Sequence, residues 1–327
     1  MRMLKAAVRQ GIRVACTSSV RRRRQQKTFV VRCHSGTTSG TSSTTGGERE
    51  KKGLPRFYLN EGDTDLAAKS SVVTISGKEA VHAARVLRLK PNSQIEVCDG
   101  AGNIAKCVLT DCASNSKSIS ALVTETRFSA WNGTKWKVCV ASGSVKGTRG
   151  DWLVEKLTEL GAWQFQPLLT DHSPRMGGGT GRKAGRQNRS RKEKDDSGSS
   201  GREERWKRLA VAASKQCLRS HSLEILPATQ LDNILLECES ECSNGLILAA
   251  HQTGEPLLSV MNACEPLPDD SVGILIVGPE GDFSERELKL MKECQHVRMV
   301  GLGDLRLRLE TAALALLSGV RLIEQKT

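Results

Sequence analysis

Short apolar runs separated by turn residues dominate residues 54–128. Four runs rich in β-favouring residues lie at residues 71–75, 94–98, 104–109 and 118–123. The turn at residues 99–103, Asp-Gly-Ala-Gly-Asn, predicts a hairpin between two of them. One helical pattern, over residues 78–89, interrupts the series. A small β unit with a single helix predicts a compact barrel.

From residue 135 to the end, apolar runs alternate with helical patterns. The predicted strands lie at residues 136–141, 165–169, 223–226, 245–249, 273–277 and 297–300. The predicted helices lie at residues 151–160, 206–218, 231–237 and 311–325. A further helix begins after Ser284, since Ser284 and Glu287 have the spacing of a capping box. This alternation predicts an α/β fold with a mostly parallel sheet.

Two polar segments interrupt or precede these patterns. Residues 1–47 contain ten Lys and Arg residues, no acid and a Ser/Thr/Gly tract. We therefore expect residues 1–50 to be a disordered transit peptide, for the chloroplast or alternatively the mitochondrion. A basic RNA-binding arm or a nuclear-import segment is the competing interpretation. Residues 176–204 are polar and of low complexity, which predicts a disordered insert within the domain over residues 135–327.

Charge and composition narrow the possible partners. The net charge of +13 arises from residues 1–47 and 176–204, and the rest of the chain is balanced. Basicity alone is therefore no argument for nucleic-acid binding, and any RNA affinity of the folded part must come from local patches. The 11 cysteines form no Cys-x-x-Cys pair, so no metal is expected. No apolar run reaches the roughly 18 residues of a membrane helix, so no membrane partner is expected.

Two glycine-bearing loops near the C-terminus carry the candidate chemistry. Residues 278–284 have the sequence Gly-Pro-Glu-Gly-Asp-Phe-Ser, and residues 302–312 have the sequence Leu-Gly-Asp-Leu-Arg-Leu-Arg-Leu-Glu-Thr-Ala. Each follows a predicted strand and leads into a predicted helix. Loops at the carboxyl ends of neighbouring strands are where open α/β sheets bind ligands. Glycine there lets the backbone approach a flat ligand closely.

The two loops resemble the C-terminal signature of the SPOUT methyltransferases, and most closely that of the RsmE family. The family pattern runs roughly Gly-Pro-Glu-Gly-Gly-Phe-Ser, then Leu-Gly-x-Arg-Ile-Leu-Arg-Thr-Glu-Thr-Ala. Three further stretches are also similar to the family, at residues 82–90, 154–161 and 212–219. The chain departs from the pattern at Asp282, at residues 305–306 and at Leu309, where Gly, Arg-Ile and Thr are usual. It also has Lys215 where Glu is usual.

The resemblance implies an enzyme that uses S-adenosyl-L-methionine to methylate N3 of a uridine in small-subunit ribosomal RNA. It implies a PUA-like RNA-binding barrel over residues 54–128, a SPOUT α/β trefoil-knot domain over residues 135–327 and a homodimer. The implied cofactor-binding residues are Leu248, Gly278, Pro279, Glu280, Gly281, Leu302, Gly303, Leu307, Arg308 and Leu309. The candidate RNA-facing residues are Arg56, His82, Arg85, Arg88, Lys156 and Arg219.

Several of these RNA-facing candidates have a simpler interpretation. Arg85 and Arg88 are three positions apart, which predicts one shared helix face with His82 a turn away. Such a face can contact phosphates or can be merely solvated. Lys156 can form an ion pair with Glu159 on the same helix. Near two glycines, Lys146 and Arg149 are additional candidates for the RNA path.

The candidate catalytic residues are Arg308 and Glu310. Uridine N3 becomes nucleophilic only when it loses its proton, so the enzyme needs a base or a cation that stabilises the uridine anion. Arg308 is the candidate cation. Glu310 is either the proton acceptor or a charge that stabilises the N-terminus of the last helix.

Two other functions are compatible with the same sequence. One is a non-catalytic RNA-binding ribosome-assembly factor on the same fold, which the departures at Asp282 and Leu309 suggest. The other is a SPOUT methyltransferase of a different base or ribose specificity.

Overall fold

The computed structural model describes residues 53–59, 66, 71–112, 118–141, 143, 145, 147–173, 197–241 and 245–325. All of them belong to one compact unit, Lys52–Thr327. The predicted transit peptide, residues 1–50, lies outside the described residues, and so does the part of the predicted insert up to residue 196.

The N-terminal part is a mostly antiparallel sheet. Its described strands are β1 (Arg56–Tyr58), β2 (Val72–Ser76), β3 (Gln94–Cys98), β4 (Asn103–Asp111) and β5 (Ser118–Phe128). They lie in the order β1-β3-β4-β5-β2, and the predicted hairpin joins β3 to β4. Side chains alternate between buried and exposed along β2, as expected for a sheet with one covered face. The buried face forms a core of its own.

The helix of the N-terminal part is shorter than the sequence pattern predicts. It begins as α1 (Gly77–Val81) and continues as a π-helical segment, His82–Val86. Arg88 then takes a φ of +52°, which ends the helix. The prediction that His82, Arg85 and Arg88 share one helix face is therefore wrong, because the chain leaves the helical path before Arg88.

The C-terminal part is a parallel sheet covered by helices. Its described strands are β6 (Lys135–Ala141), β7 (Gln164–Leu169), β8 (Glu224–Ile225), β9 (Thr229–Gln230), β10 (Leu246–Pro256), β11 (Val272–Val277) and β12 (Val297–Gly301). The strand order is β12-β10-β11-β6-β7-β8, with β9 also paired to β7. Every described pair in this sheet is parallel. The predicted parallel α/β fold is therefore confirmed.

Helices cover both faces of the parallel sheet. They are α2 (Thr148–Glu159), α3 (Ser197–Gln216), α4 (Leu231–Glu241), α5 (Leu257–Ala263), α6 (Glu285–Glu293) and α7 (Leu309–Glu324). One core cluster joins β6 to residues of α2, α3, α5 and α7. A second cluster, on the opposite face, joins the sheet to α4 and α6. None of the described helices is long and apolar enough to cross a membrane.

The start of α3 and the presence of α5 are the largest differences from the predicted helices. The third helix begins at Ser197 and not at Trp206, so the predicted disordered insert extends too far. Its first residues, Ser-Gly-Ser-Ser-Gly, have low helix propensity, and the sequence pattern therefore does not reveal them. The sequence analysis also missed α5, which follows directly on the end of β10 with no turn residue between them.

Candidate active site

The two glycine-bearing loops and a bulge in β10 begin side by side at the carboxyl edge of the parallel sheet. Ala250 of β10 pairs with Val277 of β11 on one side and with Val300 of β12 on the other. The bulge that follows in β10, at residues 251–254, and the two glycine-bearing loops therefore meet at this edge. The prediction that the two loops follow neighbouring strands is corrected, because β10 lies between β11 and β12. Both loops still lie at the carboxyl edge of one sheet, and the β10 bulge lies between them.

The first glycine-bearing loop closes tightly onto the helix that follows it. A Cβ on Gly278 would come within 2.7 Å of the Phe283 ring, so no larger residue fits there without a shift. Ser284 accepts a hydrogen bond from the amide of Glu287, and Glu287 accepts one from the amide of Ser284, at 3.2 and 2.9 Å. The predicted capping box is confirmed. It fixes the direction in which the loop leaves the site.

Asp282 occupies the position where the family pattern has glycine, and the backbone explains that preference. Its φ is +65°, in the left-handed region that Gly favours and that Asp tolerates better than most residues. The Asp282 carboxylate accepts a hydrogen bond from the Phe283 amide at 2.8 Å. It also lies 3.5 Å from His251 Nε2 in the β10 bulge. The departure therefore keeps the loop conformation and adds a contact to the neighbouring segment.

Substitutions of Asp282 test this explanation. Asp282→Gly is expected to change the free energy of unfolding by less than about 1 kcal/mol, because glycine adopts this φ freely. Asp282→Ala is expected to cost about 1–2 kcal/mol more than the Gly variant, because Ala is strained at positive φ. Chemical denaturation of both variants measures the difference. Equal losses in the two variants would contradict the assignment of the strain to this φ.

Arg149 connects the two glycine-bearing loops. It lies in the first turn of α2, and its guanidinium donates to both carboxylate oxygens of Glu310, with Nη2 2.9 Å from Oε2. The same Nη2 is 3.5 Å from Oε1 of Glu280. Arg306 Nη2 also donates to the Glu280 carbonyl, at 2.6 Å. Arg149 was only a candidate for the RNA path, and its role at the loops was missed because its acidic partners are remote in sequence. Lys146 lies outside the described residues.

The Arg149 pair decides between the two hypotheses for Glu310. Its side chain is 7 % exposed, and both of its oxygens accept from the guanidinium. Burial opposes ionisation of Glu310, but the hydrogen bond from Arg149 and the charges of Arg149 and Arg308 outweigh it, so the pKa lies below the ordinary glutamate value. A paired carboxylate with a lowered pKa is a poor proton acceptor. The geometry favours the charge at the helix N-terminus.

The pH dependence of stability tests this role. A carboxyl whose pKa is depressed by folding stabilises the native state above its unfolded pKa, and that contribution disappears as the pH falls through the folded pKa. Glu310→Gln is expected to lower the free energy of unfolding by about 1 kcal/mol at pH 7. The difference from wild type should shrink once the pH is below about 4. Urea denaturation across this pH range measures it, and a pH-independent difference would contradict the ion pair.

Arg308, unlike Arg149 and Arg306, takes no part in the contacts that connect the two loops. It is the residue preceding α7 and it is exposed. Its side chain makes no hydrogen bond with another residue in the part of the chain that the structure describes. Arg149 and Arg306, in contrast, are occupied by carboxylate or carbonyl partners of the loops. The five N–H donors of Arg308 can therefore contact a ligand at the site.

The second glycine-bearing loop has unpaired backbone groups that suit a flat ligand. Gly303 has a φ of +108°, which favours glycine, and nothing lies within 4 Å of the position of a Cβ there. Leu302 and Leu307 are half-buried against the core. Residues 302–307 make no backbone–backbone hydrogen bond with a described residue. Backbone donors and acceptors beside apolar side chains can hold a heteroaromatic ring by its edge and its face.

Most of the predicted cofactor residues lie on these loops, with two exceptions. Leu248 is fully buried inside β10, where it packs in the core two residues before the end of the regular pairing. Its side chain does not reach the edge of the sheet, and its prediction as a cofactor contact is corrected. Leu309 is 4 % exposed, and its side chain also packs in the core, so only its backbone faces the site.

Two of the predicted RNA-facing arginines are structural. The side chain of Arg56 is 5 % exposed and pairs with Glu96 at 2.7 Å. It also donates to the Leu218 carbonyl. Arg219 is largely buried: it donates to the carbonyls of Thr158 (3.0 Å) and Ala162, and it lies 5.5 Å from the centre of the Trp131 ring. Both predictions are corrected, because buried donors with protein acceptors cannot face RNA.

The remaining RNA-facing candidates differ in their surroundings. Lys156 is paired with Glu159 at 2.7 Å and with Glu155 at 3.2 Å, so the ion-pair interpretation holds. His82, Arg85 and Arg88 are exposed at the start of the N-terminal sheet. Their role as RNA contacts stays a prediction.

A separate cavity of about 810 Å³ runs along β12 and α5. Thr253 and Gly254 of the β10 bulge line it, but neither glycine-bearing loop does. It therefore does not mark the site that the loops form. Within the described ranges, no group of three or more His, Cys, Asp or Glu side chains is arranged to hold a metal ion.

Comparison with known proteins identifies the family and the fold. Residues 132–321 match the RNA methyltransferase domain family, and residues 75–120 match the RNA methyltransferase PUA domain. The chain thus has the architecture of a SPOUT methyltransferase, an α/β trefoil-knot domain with a PUA-like barrel before it. The first match covers more than half of the sequence. The chain belongs to this RNA methyltransferase family, within its RsmE type.

The individual relatives agree with this assignment. The chain is 28 % identical over 272 residues to ribosomal RNA small subunit methyltransferase E of Bacillus subtilis, covering 82 % of this chain and 96 % of the relative. It is 26 % identical to the Synechocystis protein of the same name, over 74 % and 70 % of the two chains. The crystal structure of the Neisseria gonorrhoeae methyltransferase E bound to S-adenosyl methionine has a TM-score of 0.65 at 22 % identity, covering 83 % and 98 %.

Proposed function

We propose that this protein uses S-adenosyl-L-methionine to methylate N3 of a uridine in small-subunit ribosomal RNA. The observation that carries the proposal is Arg308, an exposed cation at the end of the second glycine-bearing loop, directly before α7. Family membership supports the class of reaction, and the name of the relatives supports the substrate. The solved relative from Neisseria gonorrhoeae, which is bound to the cofactor, supports the donor.

The loops fit S-adenosyl-L-methionine by their own chemistry. The cofactor supplies a methyl group on a positively charged sulfonium. Gly281 has only His172, at 3.8 Å, near the position of a Cβ, so the first loop can approach the cofactor closely there. Leu302 and Leu307 offer half-buried apolar surface, and residues 302–307 offer unpaired backbone groups, for its adenine. Pro279 fixes the backbone beside Gly278 and so lowers the entropy lost on binding.

Arg308 supplies the electrostatic part of the mechanism. Uridine gains negative charge as N3 loses its proton, and a guanidinium already in place stabilises that charge without reorganisation. Arg149 contacts both Glu310 and Glu280, and thereby links the loop that carries Arg308 to the first glycine-bearing loop. The target uridine must be unpaired or splayed out of its helix so that N3 is accessible.

Three further parts of the proposal concern partners and location. His82, Arg85 and Arg88 on the barrel contact the RNA backbone.

Exposed leucines on α5 and α7, Leu258 and Leu322, support a homodimer, because such apolar surface is costly to leave in water. The composition of residues 1–50 supports import into the chloroplast, with the mitochondrion as the alternative. Sedimentation of the purified protein and fluorescent-fusion imaging test the last two.

The two departures from the family pattern give little support to a non-catalytic assembly factor. Asp282 keeps the left-handed conformation. Leu309 points into the core.

Mass spectrometry of ribosomal RNA tests the proposed reaction. RNA from cells that lack the protein should lose one N3-methyluridine in the small subunit, and the purified protein with S-adenosyl-L-methionine should restore it. Loss of a different modification would replace the substrate in the proposal. Calorimetry that detects no binding of S-adenosyl-L-methionine would reject the enzyme.

A further inference from the structure

One tryptophan of this chain differs from the other four in its surroundings. Trp152 is 47 % exposed, whereas Trp136 and Trp206 are buried at 0 % and 2 %. Trp131 lies beneath two arginines, and Trp163 lies beneath a lysine. A large, half-exposed flat side chain that has no ring or cation contact with a described residue is a candidate ligand surface.

The position of Trp152 connects it to the active site. It follows Arg149 by three residues on α2, so the two side chains lie on one face of the helix, about one turn apart. Arg149 contacts both Glu280 and Glu310 on the glycine-bearing loops. The indole therefore lies about one helical turn from Arg149, the residue that contacts both loops.

Packing of α2 does not account for this tryptophan. The helix buries Leu153, Val154 and Leu157 against the core, and these residues fix it to the sheet. The Trp152 side chain lies outside this packing. The side chain is thus available for contact with a substrate.

We infer that Trp152 is the stacking surface for the uracil base that is methylated. The inference rests on the proposed function. A uridine that leaves its RNA helix loses stacking on both faces, and an aromatic side chain restores one of them. Stacking engages the face of the base and leaves its N3 edge free. The edge can then meet the methyl donor and Arg308, while the indole holds the plane of the ring.

Fluorescence and binding measurements on three variants test the inference. The probe is a short single-stranded RNA that contains uridine, titrated into full-length protein with S-adenosyl-L-methionine present. Trp152→Ala is expected to weaken RNA binding about tenfold or more and to remove most of the RNA-induced quenching of tryptophan fluorescence. Trp152→Phe should recover most of the affinity. Leu160→Ala, at another exposed apolar position just beyond the same helix, should bind RNA like wild type.

The readouts separate this inference from the proposed reaction. Affinity for S-adenosyl-L-methionine should be the same in Trp152→Ala and wild type, and circular dichroism should show the same folded state. RNA affinity of Trp152→Ala equal to that of wild type would overturn the inference. So would a change in sedimentation of Trp152→Ala alone, because the indole would then cover a second copy of the chain. If RNA quenches the tryptophan fluorescence of wild type but no methyl group is transferred, the proposed reaction is rejected and the stacking surface is retained.

Discussion

Replacement of Arg308 by Ala is expected to lower the rate of methyl transfer by about 100-fold or more, with little change in melting temperature. Removal of one preorganised donor from a site of developing negative charge typically has an effect of about this size. Arg308 is exposed at the start of α7, and its side chain makes no hydrogen bond with a described residue. Its loss therefore leaves no internal partner unsatisfied, and the fold should be unaffected.

Single-turnover methyl transfer with saturating cofactor and RNA measures this effect. Arg308→Lys keeps the charge and loses the planar pair of donors, so an intermediate rate is expected if orientation contributes. Arg208→Ala is the matched control, since Arg208 is an exposed arginine on α3 whose Nε bonds only to the Glu204 carbonyl in its own helix. An Arg308→Ala enzyme with nearly the wild-type rate would remove Arg308 from the mechanism.

Replacement of Arg219 by Ala is expected to lower the free energy of unfolding by about 3 kcal/mol. The substitution deletes donors to two carbonyl groups, Thr158 O and Ala162 O, and leaves both unsatisfied in the interior. It also removes the guanidinium that packs on Trp131, and a cavity replaces it. Burial lowers the pKa of Arg219 to about 10.

A Met substitution separates the two contributions at this position. Arg219→Met fills much of the volume but restores no donor, so its loss should be smaller than that of Arg219→Ala. Urea denaturation of the two variants and wild type gives the comparison. If the Ala variant lost less than about 0.5 kcal/mol, the position would behave as an ordinary surface site, which would contradict the buried assignment.

The sequence predicts the framework of the fold because its apolar periodicity is strong. Residues 94–98 and 136–141, for example, form strands almost to the residue. Local patterns also predict the capping box of Ser284, since both of its partners lie within one turn. These features depend on neighbours in the chain, and a single sequence contains that information.

Contacts between distant segments limit what the sequence predicts about the site. Arg149 and Glu310 are 161 positions apart, and no local pattern links them. Arg56 and Arg219 resemble surface cations in the sequence, but their partners are remote in the chain: Arg56 donates to the Leu218 carbonyl, and Arg219 donates to the carbonyls of Thr158 and Ala162. The sequence does not reveal the exposure of Trp152 either, because helical periodicity alone does not show which face of α2 meets the sheet.

The position of the site's segments along the chain has a consequence for synthesis of the protein. The site needs β12 and the first turn of α7, which are among the last segments to leave the ribosome. Arg149, which contacts Glu310 in that turn, is synthesised much earlier. A nascent chain therefore has no complete methyl-donor pocket until translation is nearly finished. Premature termination before residue 310 would release a protein with most of its sheet and no means of methylating anything.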